Sequence, residues 1–196
     1  MFTQDLIIRR LRMKFIVEHM EPEMYSWCVI EYTHISRIVG KSNLIFTNVK
    51  KGAELINNIG DVRIESVKEL KLNNLCLLDP SAKQLLKTED KKQFDYFLFG
   101  GILGDFPRRR RTGKLSDVTK DKRNLGDKQM STDTAVMVAK MILDGKKFEE
   151  ITFKDGIEIE MGLNESVEFP FRYIIKDGKP ILPEGLIKYL KQREEF

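Results

Sequence analysis

A chain of 196 residues, 41% hydrophobic and 33% charged, has the size and composition of one folded domain with its own core, which excludes a disordered polymer. Thirty-four Lys and Arg against 30 Asp and Glu leave a net charge of +4, too small by itself to mark a nucleic-acid binder. No apolar run reaches the roughly 18 residues of a membrane span, so no membrane partner is expected, and the two cysteines read as buried reduced thiols of a cytoplasmic protein.

Residues 1–12 form a basic, partly amphipathic tail. Its shortness and Asp5 argue against a transit peptide, and a start assigned upstream of Met13 is the plainer reading. From Lys14, KFIVEH is rich in β-formers and ends in a polar turn at Pro22, as a first strand should. Met24, Cys28, Tyr32, Ile35, Ile38 and Val39 then recur at helical spacing, with Gly40 as the stop. NLIFTNV predicts a strand, KKGAELINN a short helical piece, NLCLLDP a strand, and FDYFLFGG the most hydrophobic strand of all. This alternation predicts an α/β fold, a parallel sheet with helices on both faces.

After Gly101 comes a loop with Pro107 and the run Arg108, Arg109, Arg110 and Arg111, then a polar stretch to Gly126. STDTAVMVAKMIL predicts a buried helix, with capping residues at its start and Ala135, Val138, Ala139 and Ile142 on one face. Beyond Gly145, ITFKDGIEIEMG and FPFRYIIKDGKPILPEG predict a small β-rich C-terminal extension, closed by a short helix from about Pro183. The expected division is a tail at 1–12, a core at 13–145 and an extension at 146–196.

Open α/β folds bind ligands at the carboxyl ends of their strands. Three loops stand there: Leu77 to Pro80, Gly100 to Asp105, and Arg123 to Thr134. GGILGD has neither the lysine of a phosphate-binding loop nor the spacing of a dinucleotide fingerprint, which argues against ATP hydrolysis. Only His19 and His34 are present, and no Cys or His pair has zinc-ligand spacing, so no metal is expected. Cys28 lies too far inside a helix for an obvious nucleophile.

FDYFLFGGILGD, LGDKQMSTDTA, EHM near the start, and FPFRY with GKPILPEG near the end together resemble the SPOUT-class protein-arginine methyltransferases of yeasts and archaea. The likeness runs from Met13 to about Leu190. It implies a trefoil knot in the C-terminal part of the core, a feature that composition never predicts. It also implies S-adenosyl-L-methionine as cofactor, with Leu78, Gly100, Gly101, Gly104, Leu125, Gly126, Met130 and Thr132 around it. The implied substrate is an arginine of a small-subunit ribosomal protein, and this branch resembles the monomeric exceptions of a mostly dimeric class.

An arginine acceptor is permanently cationic, so carboxylates are its natural orienting groups. Glu18, after the first strand, and Asp105, closing the glycine loop, are the catalytic candidates; equally, Glu18 caps a turn and Asp105 stabilises its own loop. Glu31 falls on an apolar helix face, where a buried carboxylate calls for a partner, a structural salt bridge being the plainer reading. Trp27 reads as core, or as a wall of the arginine pocket. Arg108 to Arg111 read as a solvated loop that also suits rRNA docking, which keeps an RNA-methylating SPOUT enzyme open as the alternative. A cofactor-binding assembly factor without turnover is a second alternative. Glu165, Glu168 and Glu184 in the extension suit a cationic peptide.

Overall fold

The computed structural model describes residues 13–102, 111–162 and 165–192. Its first element, β1 (Lys14–His19), is the strand expected from KFIVEH, and α1 (Ser26–Val39) is the helix expected next. Gly40 ends α1 at φ +83°, a conformation glycine adopts without strain, and returns its N–H to the Ser36 carbonyl at 2.9 Å. There follow β2 (Leu44–Thr47), a 3-10 turn at Ala53–Leu55 in place of a short helix, β3 (Asp61–Val62), β4 (Leu75–Leu78) and β5 (Tyr96–Gly101). A two-residue strand, β6 (Lys122–Arg123), falls within the stretch read from the sequence as a polar loop. It is too short and too charged to carry a strand pattern, and it forms because it lies against the edge of β4.

The six strands form one parallel sheet in the order β3-β2-β1-β5-β4-β6, with the two most apolar strands, β1 and β5, at its centre. Alternation along β1 divides the core. Phe15 and Val17 face α1 and α2 (Thr132–Leu143), which pack on each other and on this side of the sheet. Ile16 faces the other side, which is closed by Val67, Leu72, Leu115 and Val118 from turns and the 3-10 helix Arg111–Leu115. Tyr32 and Ile35 of α1 are fully buried, and a buried Ile contributes roughly 1.5–3 kcal/mol. Ser131 stands at the N-cap of α2 without capping a backbone N–H; its hydroxyl donates to Thr134 Oγ1 at 2.9 Å. Both cysteines are free and buried, and burial pushes each thiol up to about 12.

The C-terminal part is a long hairpin, β7 (Phe153–Gly162) with β8 (Glu165–Lys176), antiparallel and extended by β9 (Lys179–Pro180). The helix α3 (Leu186–Gln192) starts three residues beyond Pro183, whose carbonyl accepts the Leu186 N–H at 3.2 Å. This layer has its own core, Ile157, Ile159, Phe169, Phe171, Tyr173, Leu186 and Leu190, which packs onto Trp27 and Ile30. So α1 is buried on two sides, and its residues between those sides lie at a junction. No helix among the described residues is long and apolar enough to cross a membrane.

Candidate functional site

The carboxyl ends of β1, β5, β4 and β6 are neighbours, so the loops leaving them share one edge of the sheet. The loop after β4 is stitched to the segment after β6: Asp79 N–H donates to Arg123 O at 2.9 Å, Asn124 N–H to Gln84 O at 2.7 Å, and Leu86 N–H to Asn124 O at 2.9 Å. Leu78 and Leu125 are buried in one core, with Met130 packed against it. The Gln129 carbonyl accepts the Arg172 N–H at 2.8 Å, which ties this loop to β8. Thr132 then opens α2 with its hydroxyl facing the carbonyls of Gly100 and Ile102, at 3.3 and 3.4 Å. The glycine loop and the last loop therefore meet. Gly104, Asp105, Arg108, Arg109 and Arg110, like the tail at 1–12, lie outside the described residues; Arg111 begins the 3-10 helix.

Two of the expected cofactor glycines also serve the protein's own packing. A Cβ on Gly101 would collide with the Tyr32 hydroxyl and lie 2.9 Å from Val17 Cγ1. Gly126 adopts φ +93°, and a Cβ there would meet the Phe148 ring at 2.9 Å. Bare backbone lets α1 close on β5 and lets the 124–126 turn close on Phe148.

Glu18 is buried at the end of β1, where its carboxylate accepts bonds from Thr47 Oγ1, Ser66 Oγ and the Val67 N–H, the last at 2.9 Å. It holds the turn at 66–67 against β2. Glu31 is buried as its spacing implied, but no Lys or Arg pairs with it among the described residues. Its Oε1 accepts the Trp27 indole N–H at 3.0 Å, and its nearest charge of consequence is another carboxylate, Asp133. Burial first, then Asp133, holds the Glu31 carboxyl well above its ordinary range. Asp133 is 1% exposed and pairs with His34 Nδ1 at 2.9 Å. Tyr173 of β8 closes the group: burial and the charges of Asp133 and Glu31 push its phenol up.

His19 ends β1 opposite Gly101. Its Nδ1 lies 2.9 Å from the Tyr32 hydroxyl, and its Nε2 is buried without a hydrogen-bond partner. Burial lowers its pKa, against the opposing pull of Glu21, the Glu23 backbone and Glu18, so the ring is neutral near pH 7. His19, Asp133 and Tyr173 lie in the EHM, LGDKQMSTDTA and FPFRY motifs, but those motifs gave them no role, and His34 carries no signal of its own. Asp133 sits in a capping-type run, and His34 is 99 positions away from the carboxylate it meets.

A family model described as protein arginine N-methyltransferase SFM1-like matches residues 14–195. The chain is 42% identical over 202 residues to protein arginine N-methyltransferase SFM1 of Saccharomyces cerevisiae (strain ATCC 204508 / S288c), covering 92% of this chain and 95% of that protein. A crystal structure of the yeast arginine methyltransferase SFM1 complexed with SAH matches with a TM-score of 0.84 at 38% identity, covering 97% of this chain and all (100%) of that one. The complex with SAM matches at 0.83 and 39%, over 92% and 90%. A dual specific Trm10 from Thermococcus kodakaraensis, at 17% identity and a TM-score of 0.51 over 70% of this chain and 96% of that one, shares the fold alone.

Proposed function

The chain belongs to the SFM1-like family of protein arginine N-methyltransferases, and from that premise we propose that it binds S-adenosylmethionine and methylates an arginine nitrogen of a small-subunit ribosomal protein. The observation that carries the reading is the convergence of three loops at one sheet edge, locked where Thr132 meets Gly100 and Ile102. The residues present suit the cofactor: Leu78, Leu125 and Met130 offer apolar walls, and Gly100, Gly101 and Gly126 add no side chain of their own at the loops. When bound, S-adenosylmethionine supplies a methyl group on a positively charged sulfur. The protein's own part is to hold the acceptor in line and exclude water.

In this reading residues 13–145 are the catalytic core, with a trefoil knot in which the segment after FDYFLFGG and the helix starting near Ser131 thread back through the chain. Residues 146–196 face the substrate. Asp105, which closes the glycine loop in the sequence, stays an orienting carboxylate for the cationic acceptor, and Arg108 to Arg111 dock on rRNA beside the substrate. The protein is a cytoplasmic monomer in this reading, its extension packed on α1 at Trp27 and Ile30. A dimeric mass in light scattering of a dilute solution would remove that last point.

The test is incubation of the chain with labelled cofactor and a ribosomal extract, followed by mass spectrometry of the labelled species. Label on an arginine of a ribosomal protein, surviving ribonuclease, is expected. Label confined to RNA would replace this reading with the RNA-directed one, and binding without any transfer would leave an assembly factor.

A further inference from the structure

The stretch 123–130 leaves the main sheet at β6 and reaches the extension's sheet before α2 begins. At its start Asn124 lies beside Leu85 as an isolated parallel bridge, and at its end Met130 lies beside Arg172 in the same way. The Arg172 N–H donates to Gln129 O at 2.8 Å, and Tyr173 reaches the Ser131 hydroxyl at the N-cap of α2. The loop that carries Leu125, Gly126 and Met130 is therefore also an edge of the extension's sheet.

Side chains tie the loop to the hairpin a second time. Arg172 Nε and Nη2 donate to the two oxygens of Asp155, its partner across the hairpin, at 2.6 and 3.0 Å, and its Cζ lies 5.1 Å from the centre of the Phe153 ring. Phe153 packs on Phe148 with ring centres 5.4 Å apart, and Phe148 comes so close to the Gly126 backbone that a Cβ there would stand 2.9 Å from its ring. Guanidinium, two rings and the Gly126 turn thus form one stack. Asp127 lies 3.9 Å from Arg172 Nη1, but its side chain is 82% exposed, and water screens such a pair, so the ladder bond and the stack carry the tie.

Resting on the arginine-methylation reading, we infer that Arg172 is a positioning residue that couples the cofactor site to the substrate-facing extension. It acts through Phe153, Phe148 and the 126–130 loop. The two arrangements are the loop laid along β8 and the loop lifted from it. A cofactor that fixes Leu125, Gly126 and Met130 fixes the edge of β8 with them, and a substrate then laid on the extension meets a segment already ordered. The same tie works in reverse, because coupling between two binding sites is reciprocal.

The experiment uses the full chain and compares wild type with Arg172→Ala, Arg172→Lys and Phe153→Leu, the last of which keeps the ladder bond and an apolar side chain. The probes are S-adenosylhomocysteine and a synthetic peptide carrying the arginine labelled in the ribosomal extract. In wild type, saturating S-adenosylhomocysteine should tighten peptide affinity about tenfold by calorimetry, and it should slow hydrogen exchange at the Arg172 amide. In Arg172→Ala and Phe153→Leu the coupling factor should fall to within about twofold of one, and S-adenosylhomocysteine affinity alone should weaken. Arg172→Lys keeps a cation over the ring without the fork and should retain part of the coupling. A lower Tm in these variants with the tenfold factor intact would mark Arg172 as part of the fold alone and overturns the inference, as does a wild type whose two affinities are independent. A wild-type chain that labels only RNA overturns the arginine reading instead. The Arg172 tie is then judged by its amide exchange and by S-adenosylhomocysteine affinity, which need no peptide, and an amide left unprotected by S-adenosylhomocysteine overturns it.

Discussion

His34 Nδ1 on α1 stands 2.9 Å from Asp133 Oδ2 at the start of α2, and this contact joins the two helices that cover one face of the sheet. The His34 side chain is 12% exposed and that of Asp133 2%, so the bond is largely shielded from water.

His34→Ala should therefore lower stability by about 1–3 kcal/mol, because it leaves the Asp133 carboxylate buried beside Glu31 without its donor. In a double-mutant cycle with Asp133→Asn the losses should not add, and urea unfolding measures them. Additive losses would show that the two side chains are not coupled.

Glu31 gives a pH signature. Its carboxyl titrates higher in the folded chain than its ordinary value of 4.5, so folding takes up a proton in the window above 4.5, and stability falls as pH rises through it. Glu31→Gln removes this loss. The Tm advantage of Glu31→Gln over wild type should widen from pH 5 to pH 8, reaching about 2–4 °C for each kcal/mol recovered in a chain this long. A gap that is constant across pH would sink the idea.

Arg123 and Asp90 form a second, largely shielded pair, with Asp90 buried and Arg123 partly so. Nε and Nη2 of Arg123 donate to Asp90 at 2.8–3.1 Å while the guanidinium lies 5.2 Å from the centre of the Phe94 ring. Arg123→Ala should cost about 3–5 kcal/mol, the usual loss when one partner of a buried pair is removed. Because Arg123 O also holds Asp79, cofactor affinity should weaken as well, which calorimetry would detect. Arg123→Lys restores charge without the fork and should recover only part of the loss.

Gly126→Ala should cost about 1–2 kcal/mol from its left-handed backbone, with a further loss where the new Cβ meets Phe148. Adding Phe148→Leu should relieve the collision and leave the backbone cost. Gly126→Val should block cofactor binding on top of these losses. Undiminished cofactor affinity in Gly126→Val would take the 124–126 turn out of the site.

The sequence by itself determined the order of β1, α1, β2, β4, β5 and α2, because each carries its own periodicity or its own stop, such as Gly40 after Val39. It also put the loops at 77–80, 100–105 and 123–134 at the carboxyl edge of a parallel sheet, while Leu78, Gly100, Leu125 and Thr132 within them came from the family resemblance. The tertiary structure decided the rest. Lys122 and Arg123 are a strand only because β4 offers an edge, and Glu18 holds a turn because Ser66 and Val67 fold back onto it. Among the described residues Glu31 meets another carboxylate rather than a cation, because α1 and α2 cross there and the β8 layer covers the crossing. Such encounters join residues dozens of positions apart, and periodicity reports only which face of an element is apolar, not which other element will lie against it.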